Sequence, residues 1–171
     1  MERNDFYKLG DKFVTIVGND IEVGQAAPEV SLQANDWSMV DMLGSTAGKV
    51  RILAAIPSIS TGVCDTETRR FNEAAAELSD DIVIITVSTD LPFTQKSWCA
   101  AAGVEQVLLL SDHQQAEFAE KYGTLIKERR INRRAVFVVD REGKVVYADY
   151  MPQLGDQPDY DAVLAAAKGA L

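Results

Sequence analysis

The sequence predicts an α/β fold in which a mixed central sheet carries helices on both faces. Apolar, β-branched runs alternate along the chain with segments of helical periodicity, which is the pattern of parallel βαβ units. The last two apolar runs are separated only by the turn 140–143, so a closing hairpin adds antiparallel strands. Because the chain has 171 residues, 47% of them hydrophobic, we expect one domain, residues 1–171, with a core of its own.

The first predicted elements are strands. Residues 13–17 and 21–23 flank Gly18-Asn19-Asp20, and these turn residues predict an N-terminal hairpin at about 13–23. A polar turn separates the next two strands, and a continuous apolar run typical of a fully buried strand follows them. These three strands are predicted at Val30–Gln33, Met39–Met42 and Val50–Ile56.

Helices and strands alternate in the rest of the chain. Thr66–Leu78 has helical periodicity, with Phe71 on its apolar face. Proline in the first turn and glycine as a stop predict a helix over Pro92–Ala102. The other predicted elements are strands at Ile82–Ser88 and Val107–Leu110, a helix at Gln114–Tyr122, a hairpin of Arg134–Val139 with Lys144–Tyr150, and a helix at Tyr160–Lys168.

Composition excludes several classes of function. The net charge of −9 argues against a nucleic-acid partner, because nucleic acids are bound mainly through neutralisation of their phosphates. No stretch is long and apolar enough to span a membrane. The N-terminal segment MERNDFYKLGDKF has no apolar region of the kind that signal peptides contain, so we expect a cytoplasmic location.

The chain has two cysteines and one histidine. Cysteines in a cytoplasmic protein are expected to be redox-active or simply buried. No C-x-x-C motif occurs, which excludes a thioredoxin-type dithiol and a zinc knuckle. His113 follows Ser111-Asp112 in a predicted loop and is expected to have a surface or capping role. We therefore expect neither a metal nor an organic cofactor.

Cys64 stands where a predicted strand gives way to a predicted helix. The first N–H groups of a helix lack partners within it and carry partial positive charge, which stabilises a thiolate, the nucleophilic form of cysteine. Pro57 fixes the backbone as the chain leaves the strand. Thr61 precedes the sulfur by three residues, where its hydroxyl can donate to the thiolate or cap the helix. These residues predict a nucleophilic thiol site.

The pattern P-x-x-x-T-x-x-C over residues 57–64 resembles the active-site signature of the peroxiredoxins. The full segment, PSISTGVC, is similar to the corresponding segment of the thiol peroxidase subfamily, whose members are atypical 2-Cys peroxiredoxins. The resemblance covers nearly the whole chain and implies a thioredoxin-like fold with an added N-terminal hairpin. Its other segments are residues 13–23, DLPFTQKSWCAAAGV at 90–104, RRAVFVVDREGKVVY at 133–147 and PDYDAVLAAAK at 158–168.

The resemblance implies a thioredoxin-dependent peroxidase that reduces hydrogen peroxide and organic hydroperoxides. Cys64 would be the peroxidatic cysteine, and Cys99 would resolve its sulfenic acid by forming an intramolecular disulfide, which thioredoxin then reduces. The resemblance also implies a homodimer, with the loops at Pro57–Thr61 and around Pro92 as candidate interface positions. From the residues alone, Cys99 is equally well a small buried hydrophobe. Trp98 either packs its helix onto the sheet or covers the resolving thiol.

Arg134 is the candidate cation of the site. By itself, an arginine at the start of a strand is more often a surface residue, but the resemblance gives this position the family's active-site arginine. Together with Pro57 and Thr61, Arg134 would also bind the substrate. Strand alternation points Arg133 to the opposite face. The rest of the basic cluster Lys127–Arg134 is predicted to be a solvated loop and a strand start.

Two other functions remain open from the sequence. One is a thiol-based peroxide sensor or redox relay protein, in which the same oxidation signals to a partner. Stoichiometric oxidation followed by a stable disulfide with that partner would favour the sensor, whereas rapid turnover with thioredoxin and its reductase favours the enzyme. The other is a non-catalytic thioredoxin-like binding module, in which Cys64 would be inert and react slowly.

Overall fold

The computed structural model describes residues 1–171 and contains two sheets. The strands are β1 (Glu2–Leu9), β2 (Lys12–Val17), β3 (Ser31–Gln33), β4 (Met39–Asp41), β5 (Val50–Ala55), β6 (Ile82–Ser88), β7 (Val107–Ser111), β8 (Leu125–Ile126), β9 (Ile131–Asn132), β10 (Ala135–Val139) and β11 (Val145–Tyr150). The α-helices are α1 (Gly62–Ala75), α2 (Pro92–Ala102), α3 (Glu117–Lys121) and α4 (Tyr160–Gly169), and Gly44–Thr46 form a 3-10 turn.

The central sheet has seven strands in the order β11-β10-β5-β6-β7-β3-β4. β5 pairs with β6, and β6 with β7, in parallel, as βαβ connections through α1 and α2 require. The outer strands are antiparallel, and β10 and β11 form the predicted closing hairpin. The predicted mixed sheet flanked by helices is confirmed.

Side-chain alternation divides the core into two layers, one on each face of this sheet. On β5, Ile52 and Ala54 pack with Phe71 of α1 and Val163 of α4. The neighbouring residues of the same strand face the other layer, which α3 covers with Phe118. Cys64 belongs to the first layer, so the start of α1 is built into the core.

The N-terminal hairpin lies earlier in the chain than the sequence predicts. β1 and β2 pair antiparallel around a turn at Gly10–Asp11, rather than at 18–20. Gly18 instead lies against the end of α3: it has φ +92°, and a Cβ there would be 1.9 Å from the carbonyl oxygen of Glu120. The hairpin predicted at about 13–23 is wrong, because its glycine permits close backbone packing rather than chain reversal.

The helix predicted over Gln114–Tyr122 is shorter than expected. Ala116 has a left-handed φ of 58°, which separates the residues before it from α3. Asp112 supplies the missing cap, since its carboxylate accepts hydrogen bonds from the backbone N–H groups of Phe118 and Ala119. The carboxylate therefore satisfies helix donors that a longer helix would have paired internally.

The basic cluster divides into an exposed and a buried part. Residues 127–130 are exposed, as predicted, and connect β8 to β9. Arg133 is buried, contrary to the prediction: it donates to the Gly123 carbonyl at 3.0 Å, pairs with Asp20 and lies 4.1 Å from the ring centre of Tyr150. Arg133 therefore ties the loop after α3 to the central sheet.

None of the helices combines the length and the apolar character that crossing a bilayer would require.

Candidate active site

The candidate site forms where the chain leaves β5 and enters α1. Pro57 is buried directly after the strand, and Thr61 is the N-cap residue, with extended φ and ψ of −88° and 146°. The Thr61 hydroxyl oxygen accepts a hydrogen bond from the backbone N–H of Cys64 at 3.4 Å. This contact satisfies one of the otherwise unpaired donors of the first turn. It also fixes Cys64 in that turn, as the sequence predicts.

The sulfur of Cys64 is enclosed by polar donors. The residue has no exposed surface, and its thiol is free. The Thr61 hydroxyl donates to Sγ at 2.7 Å, and Nη2 of Arg134 donates to it at 3.2 Å. A neutral donor and a guanidinium therefore converge on one sulfur, and this arrangement favours negative charge on that atom.

Arg134 reaches the sulfur because it precedes β10 on the same face as Val136 and Val138. That face carries the core layer to which Cys64 belongs. Arg133 points to the other face and makes no contact with Cys64 in the structure. The side chains of Arg133 and Arg134 therefore lie on opposite faces of the sheet, as predicted, and of the two only Arg134 contacts Cys64.

Glu67 is a member of the site that the sequence reasoning missed. Its carboxylate is fully buried and pairs with Nη1 of Arg134. Burial raises the pKa of Glu67 well above its usual range, although the Arg134 charge opposes this shift. Burial lowers the pKa of Arg134, but the charges of Glu67 and Cys64 outweigh this effect and raise it overall. Position 67 lies on the same helix face as Cys64 and Phe71, a periodicity that could have revealed it.

Two further groups hold the site together. The backbone carbonyl of Leu154 accepts hydrogen bonds from Nε and Nη2 of Arg134, both at 3.3 Å. The Asp90 carboxylate accepts from the Ser58 hydroxyl and from the Ile59 backbone N–H, each at 2.7 Å. Asp90 therefore fixes the loop that leads to Thr61. Both contacts join segments far apart in sequence, and no local pattern indicates them.

An open pocket of about 210 Å³ lies beside the two donors to the Cys64 sulfur. Thr61 and Arg134, the two donors to Sγ, form part of its wall, and Pro57 lies on it as well. The remaining lining residues are Val63, Leu154 and Gly155. Cys64 itself has no exposed surface and does not line the pocket, so a small molecule that enters the pocket contacts the two donors to the sulfur.

Cys99 does not belong to this cluster. It lies on α2, is half-buried, and has a free thiol. Its polar neighbour is the side-chain amide of Asn35, whose nitrogen is 3.9 Å from Sγ. Burial raises the pKa of the Cys99 thiol, and the contact with Asn35 opposes that shift. In this arrangement the two cysteines have different polar neighbours, although both pack in the same core layer.

The geometry suits a displacement at sulfur. The Cys64 sulfur would be the nucleophile in such a displacement, and a substrate atom in the pocket would lie within reach of Thr61 and Arg134. Negative charge that develops on a leaving oxygen can be stabilised by the guanidinium without rearrangement of the site. His113 lies elsewhere, with Nε2 2.6 Å from the side-chain oxygen of Gln33, so no histidine assists the thiol.

Comparison with known proteins gives a family model and relatives that match most of the chain. The family model described as Redoxin matches residues 22–164. The thiol peroxidase of Halalkalibacterium halodurans is 48% identical over 158 residues, which cover 92% of this chain and 94% of that protein. The thiol peroxidase of Bacillus subtilis is also 48% identical over 158 residues, which cover 91% of this chain and 92% of that protein.

Solved structures agree with these relatives. A peroxiredoxin-like protein from Aquifex aeolicus has a TM-score of 0.89 at 36% identity, covering 99% of this chain and 98% of that chain. A thiol peroxidase from Chromobacterium violaceum has a TM-score of 0.83 at 17% identity over 95% of each chain, a likeness of fold alone. The expected thioredoxin-like fold is confirmed. With a free thiol at Cys64 at a helix start and relatives that match along nearly its whole length, the chain belongs to the redoxin family, in the thiol peroxidase subfamily of the peroxiredoxins.

Proposed function

We propose that this protein reduces hydrogen peroxide and organic hydroperoxides at Cys64 and is recycled through Cys99 by thioredoxin. The observation that carries the proposal is the position of the Cys64 sulfur, between the Thr61 hydroxyl at 2.7 Å and the Arg134 guanidinium at 3.2 Å. The Thr61 hydroxyl holds the thiolate in place. The Arg134 guanidinium is a fixed positive charge at the position where negative charge would develop on the leaving oxygen.

The first step is attack of the Cys64 thiolate on the nearer peroxide oxygen. A sulfur–oxygen bond forms, the oxygen–oxygen bond breaks, and the leaving oxygen departs as hydroxide or alkoxide and takes up a proton. Cys64 becomes a sulfenic acid. Arg134 remains in place throughout, since Glu67 and the Leu154 carbonyl hold its other nitrogens. The site therefore stabilises the developing charge without reorganisation.

The pocket at Thr61 and Arg134 supports the inclusion of organic hydroperoxides. Its volume of about 210 Å³ is larger than hydrogen peroxide needs. Val63 and Leu154 make part of the wall apolar. An alkyl group can therefore lie against these side chains while the peroxide oxygens face the donors, and its burial favours binding.

The second step joins the two cysteines. The Cys99 thiol attacks the Cys64 sulfenic sulfur, a disulfide forms, and water leaves. Thioredoxin then reduces the disulfide by thiol exchange.

The expected homodimer is part of this proposal. Leu91 and Phe93, next to Pro92, are 48% and 65% exposed, and Phe93 packs on Trp37. Sedimentation of the whole chain measures this, and a monomer at assay concentrations would exclude the dimer.

Replacement of Thr61 by valine should slow the reaction with peroxide. The change removes the donor to the sulfur and the cap of α1, while it keeps nearly the same volume. A hydrogen bond to a charged group contributes enough that we expect a loss of about ten- to a hundredfold in the rate of Cys64 oxidation. Rapid-mixing measurement of thiol loss checks this. Thr61→Ser keeps the hydroxyl and should retain most of the rate, and a Thr61→Val variant as fast as the unaltered protein would remove Thr61 from the mechanism.

Replacement of Cys99 by serine should leave the first step intact and stop the second. The variant is expected to consume one equivalent of peroxide per chain and to remain as the Cys64 sulfenic acid. Excess peroxide should then convert it to the sulfinic acid. Mass spectrometry follows both products. Sustained turnover with thioredoxin in this variant would show that Cys99 is not the resolving residue.

The experiment that tests the proposal is peroxide consumption by the whole protein with thioredoxin, thioredoxin reductase and NADPH. Catalytic NADPH oxidation that depends on all components is the expected result. Hydrogen peroxide and an alkyl hydroperoxide should be compared in the same assay. Oxidation of a single equivalent without turnover would contradict the enzymatic proposal and favour a thiol sensor.

A further inference from the structure

The strands β1, β2, β8 and β9 form a second sheet, which we name the small sheet. It contains the N-terminal hairpin, and none of its residues belongs to the core layer in which Cys64 packs. No step of the proposed reaction involves the small sheet directly. Its packing nevertheless reaches the candidate site through one residue of another segment.

That residue is Leu154, which packs against the apolar cluster of the small sheet. We name this cluster the hairpin cluster. Its members on the four strands are Tyr7, Leu9, Val14, Ile16, Ile126 and Ile131. Leu154 is the one member from outside the small sheet. Tyr7 is the largest member and is 5% exposed. The hairpin cluster therefore holds a side chain of the segment that follows β11.

The segment around Leu154 has little structure of its own. Residues 152–158 belong to neither a helix nor a strand. Its internal hydrogen bonds form one turn, in which Gln153 and Asp156 pair with each other. An open pocket of about 390 Å³ is lined by residues 152–155 of the segment and residues 8–10 of the hairpin, so the two are not closely packed there. The position of the segment therefore depends on the apolar packing of Leu154.

The backbone carbonyl of Leu154 in turn holds Arg134. It accepts hydrogen bonds from Nε and Nη2, whereas Nη1 pairs with Glu67 and Nη2 also donates to the Cys64 sulfur. The Arg134 side chain is 1% exposed, so water does not offer Nε another partner. Contacts at both ends of the planar guanidinium fix its orientation. A shift of the Leu154 carbonyl would therefore turn Nη2 away from the sulfur.

Tyr7 lies near this contact. Burial raises the pKa of Tyr7 to about 12, while the charge of Arg133 opposes the shift, that of Asp156 adds to it and that of Arg134 opposes it. The phenol is therefore close to both arginines and stays neutral. Its hydroxyl is buried and has no hydrogen-bond partner in the structure. The contribution of Tyr7 is therefore the packing of its ring.

We propose that the small sheet positions Arg134 for the reaction with peroxide: the hairpin cluster, built around Tyr7, holds Leu154, and the Leu154 carbonyl holds the guanidinium against the Cys64 sulfur. This inference rests on the proposed function. Tyr7 is a positioning residue, since it contacts neither the sulfur nor the pocket beside it. Its effect on the rate arises because charge stabilisation falls steeply when a donor is misplaced.

The test compares Tyr7→Ala with the unaltered protein. The change removes the ring from the hairpin cluster and leaves every residue of the site in the sequence. We expect the second-order rate of Cys64 oxidation by hydrogen peroxide to fall by about tenfold. Rapid mixing measures this rate at a temperature at which circular dichroism shows both proteins to be folded. Tyr7→Leu is a smaller change that puts less of the fold at risk, and it should give a smaller loss in the same direction.

Two controls separate positioning from stability. Tyr7→Phe keeps the ring and removes only the unpaired hydroxyl, so it should react as fast as the unaltered protein. Phe118→Ala removes a fully buried ring from the core layer on the other face of the central sheet. It should lower the melting temperature without changing the rate. A rate that falls as far in Phe118→Ala as in Tyr7→Ala would show that stability alone explains the loss.

Double variants test the route through Arg134. The background is Arg134→Met with Glu67→Gln, which has neither the guanidinium nor an unpaired carboxylate. Tyr7→Ala should slow the reaction no further in this background, because the group that Leu154 holds is absent. Combined with Thr61→Val, Tyr7→Ala should lower the rate by the product of the two separate factors. A further tenfold loss in the background without Arg134 would contradict the route.

The outcomes distinguish this inference from the proposed function. If peroxide does not oxidise Cys64 in the unaltered protein, the proposed function is wrong, and the inference fails with it. If Cys64 is oxidised equally fast in the unaltered protein and in folded Tyr7→Ala and Tyr7→Leu, the inference alone is wrong. Slower oxidation in these two variants, with normal rates in Tyr7→Phe and Phe118→Ala, supports both.

Discussion

Replacement of Cys64 by serine is expected to abolish peroxide reduction. Serine at the helix start keeps the volume and the contacts with Thr61 and Arg134, but its hydroxyl is not ionised at neutral pH and does not attack the oxygen–oxygen bond. The loss should be complete within the sensitivity of a coupled assay, since no other thiol contacts Arg134 in the structure.

The control experiment for Cys64→Ser is a test that the variant still folds. Cys64 is fully buried in the core layer under α1, so thermal unfolding of Cys64→Ser should be measured beside its activity. A folded, inactive variant supports the account. A folded variant with activity near that of the unaltered protein would show that peroxide is reduced elsewhere, and the mechanism at Cys64 would be wrong.

Replacement of Arg134 by methionine should slow the oxidation of Cys64 by about a hundred- to a thousandfold, the usual effect of removing one well-placed donor to a developing negative charge. The guanidinium is the only cation in contact with the sulfur, at 3.2 Å. Methionine fills a similar space and has no charge. Rapid mixing with hydrogen peroxide under single-turnover conditions measures the rate directly.

Arg134→Met also leaves Glu67 buried without its partner. Removal of one member of a buried ion pair destabilises proteins by roughly 3–5 kcal/mol. The double variant with Glu67→Gln removes the stranded carboxyl group, so it should regain stability without regaining the rate. Recovery of the rate in the double variant would show that folding, rather than charge stabilisation, explains the effect of Arg134.

Arg133→Met is the matched control for Arg134→Met. Arg133 is buried like its neighbour, but it contacts Asp20, Gly123 and Tyr150 on the other face of the sheet. The change should lower the melting temperature and leave the rate of Cys64 oxidation close to that of the unaltered protein. If Arg133→Met slows that reaction and Arg134→Met does not, the assignment of the active-site arginine is reversed.

Those features of the site that depend on local pattern could be predicted from the sequence. The strand-to-helix junction before Cys64, the spacing of Thr61 and the proline and glycine that bound α2 are local features, and the structure has each of them, although α1 begins at Gly62 rather than at the predicted Thr66 and ends at Ala75 rather than at Leu78. The choice between Arg133 and Arg134 needed only the alternation of a strand and the family's pattern. Short-range geometry carries this information because helices and strands have fixed periods.

Features that depend on contacts between distant segments could not be predicted in this way. Gly18 reads as a hairpin turn, but its conformation serves packing against Glu120, about a hundred residues away. The carbonyl of Leu154 belongs to an irregular segment, and nothing in its side chain indicates a contact with Arg134. Glu67 lies between these cases. Helical periodicity places Glu67 on the buried face of α1, but it does not identify Arg134 as its partner.

The central claim is that peroxide oxidises Cys64 and that Cys99 of the same chain resolves the product. Intact-mass spectrometry of the unaltered protein after one equivalent of hydrogen peroxide tests it most directly. The account predicts a monomeric chain that has lost two hydrogens, with Cys64 and Cys99 in one disulfide-linked peptide pair after digestion. A disulfide-linked dimer, or a sulfenic acid that persists in the unaltered protein, would contradict the account.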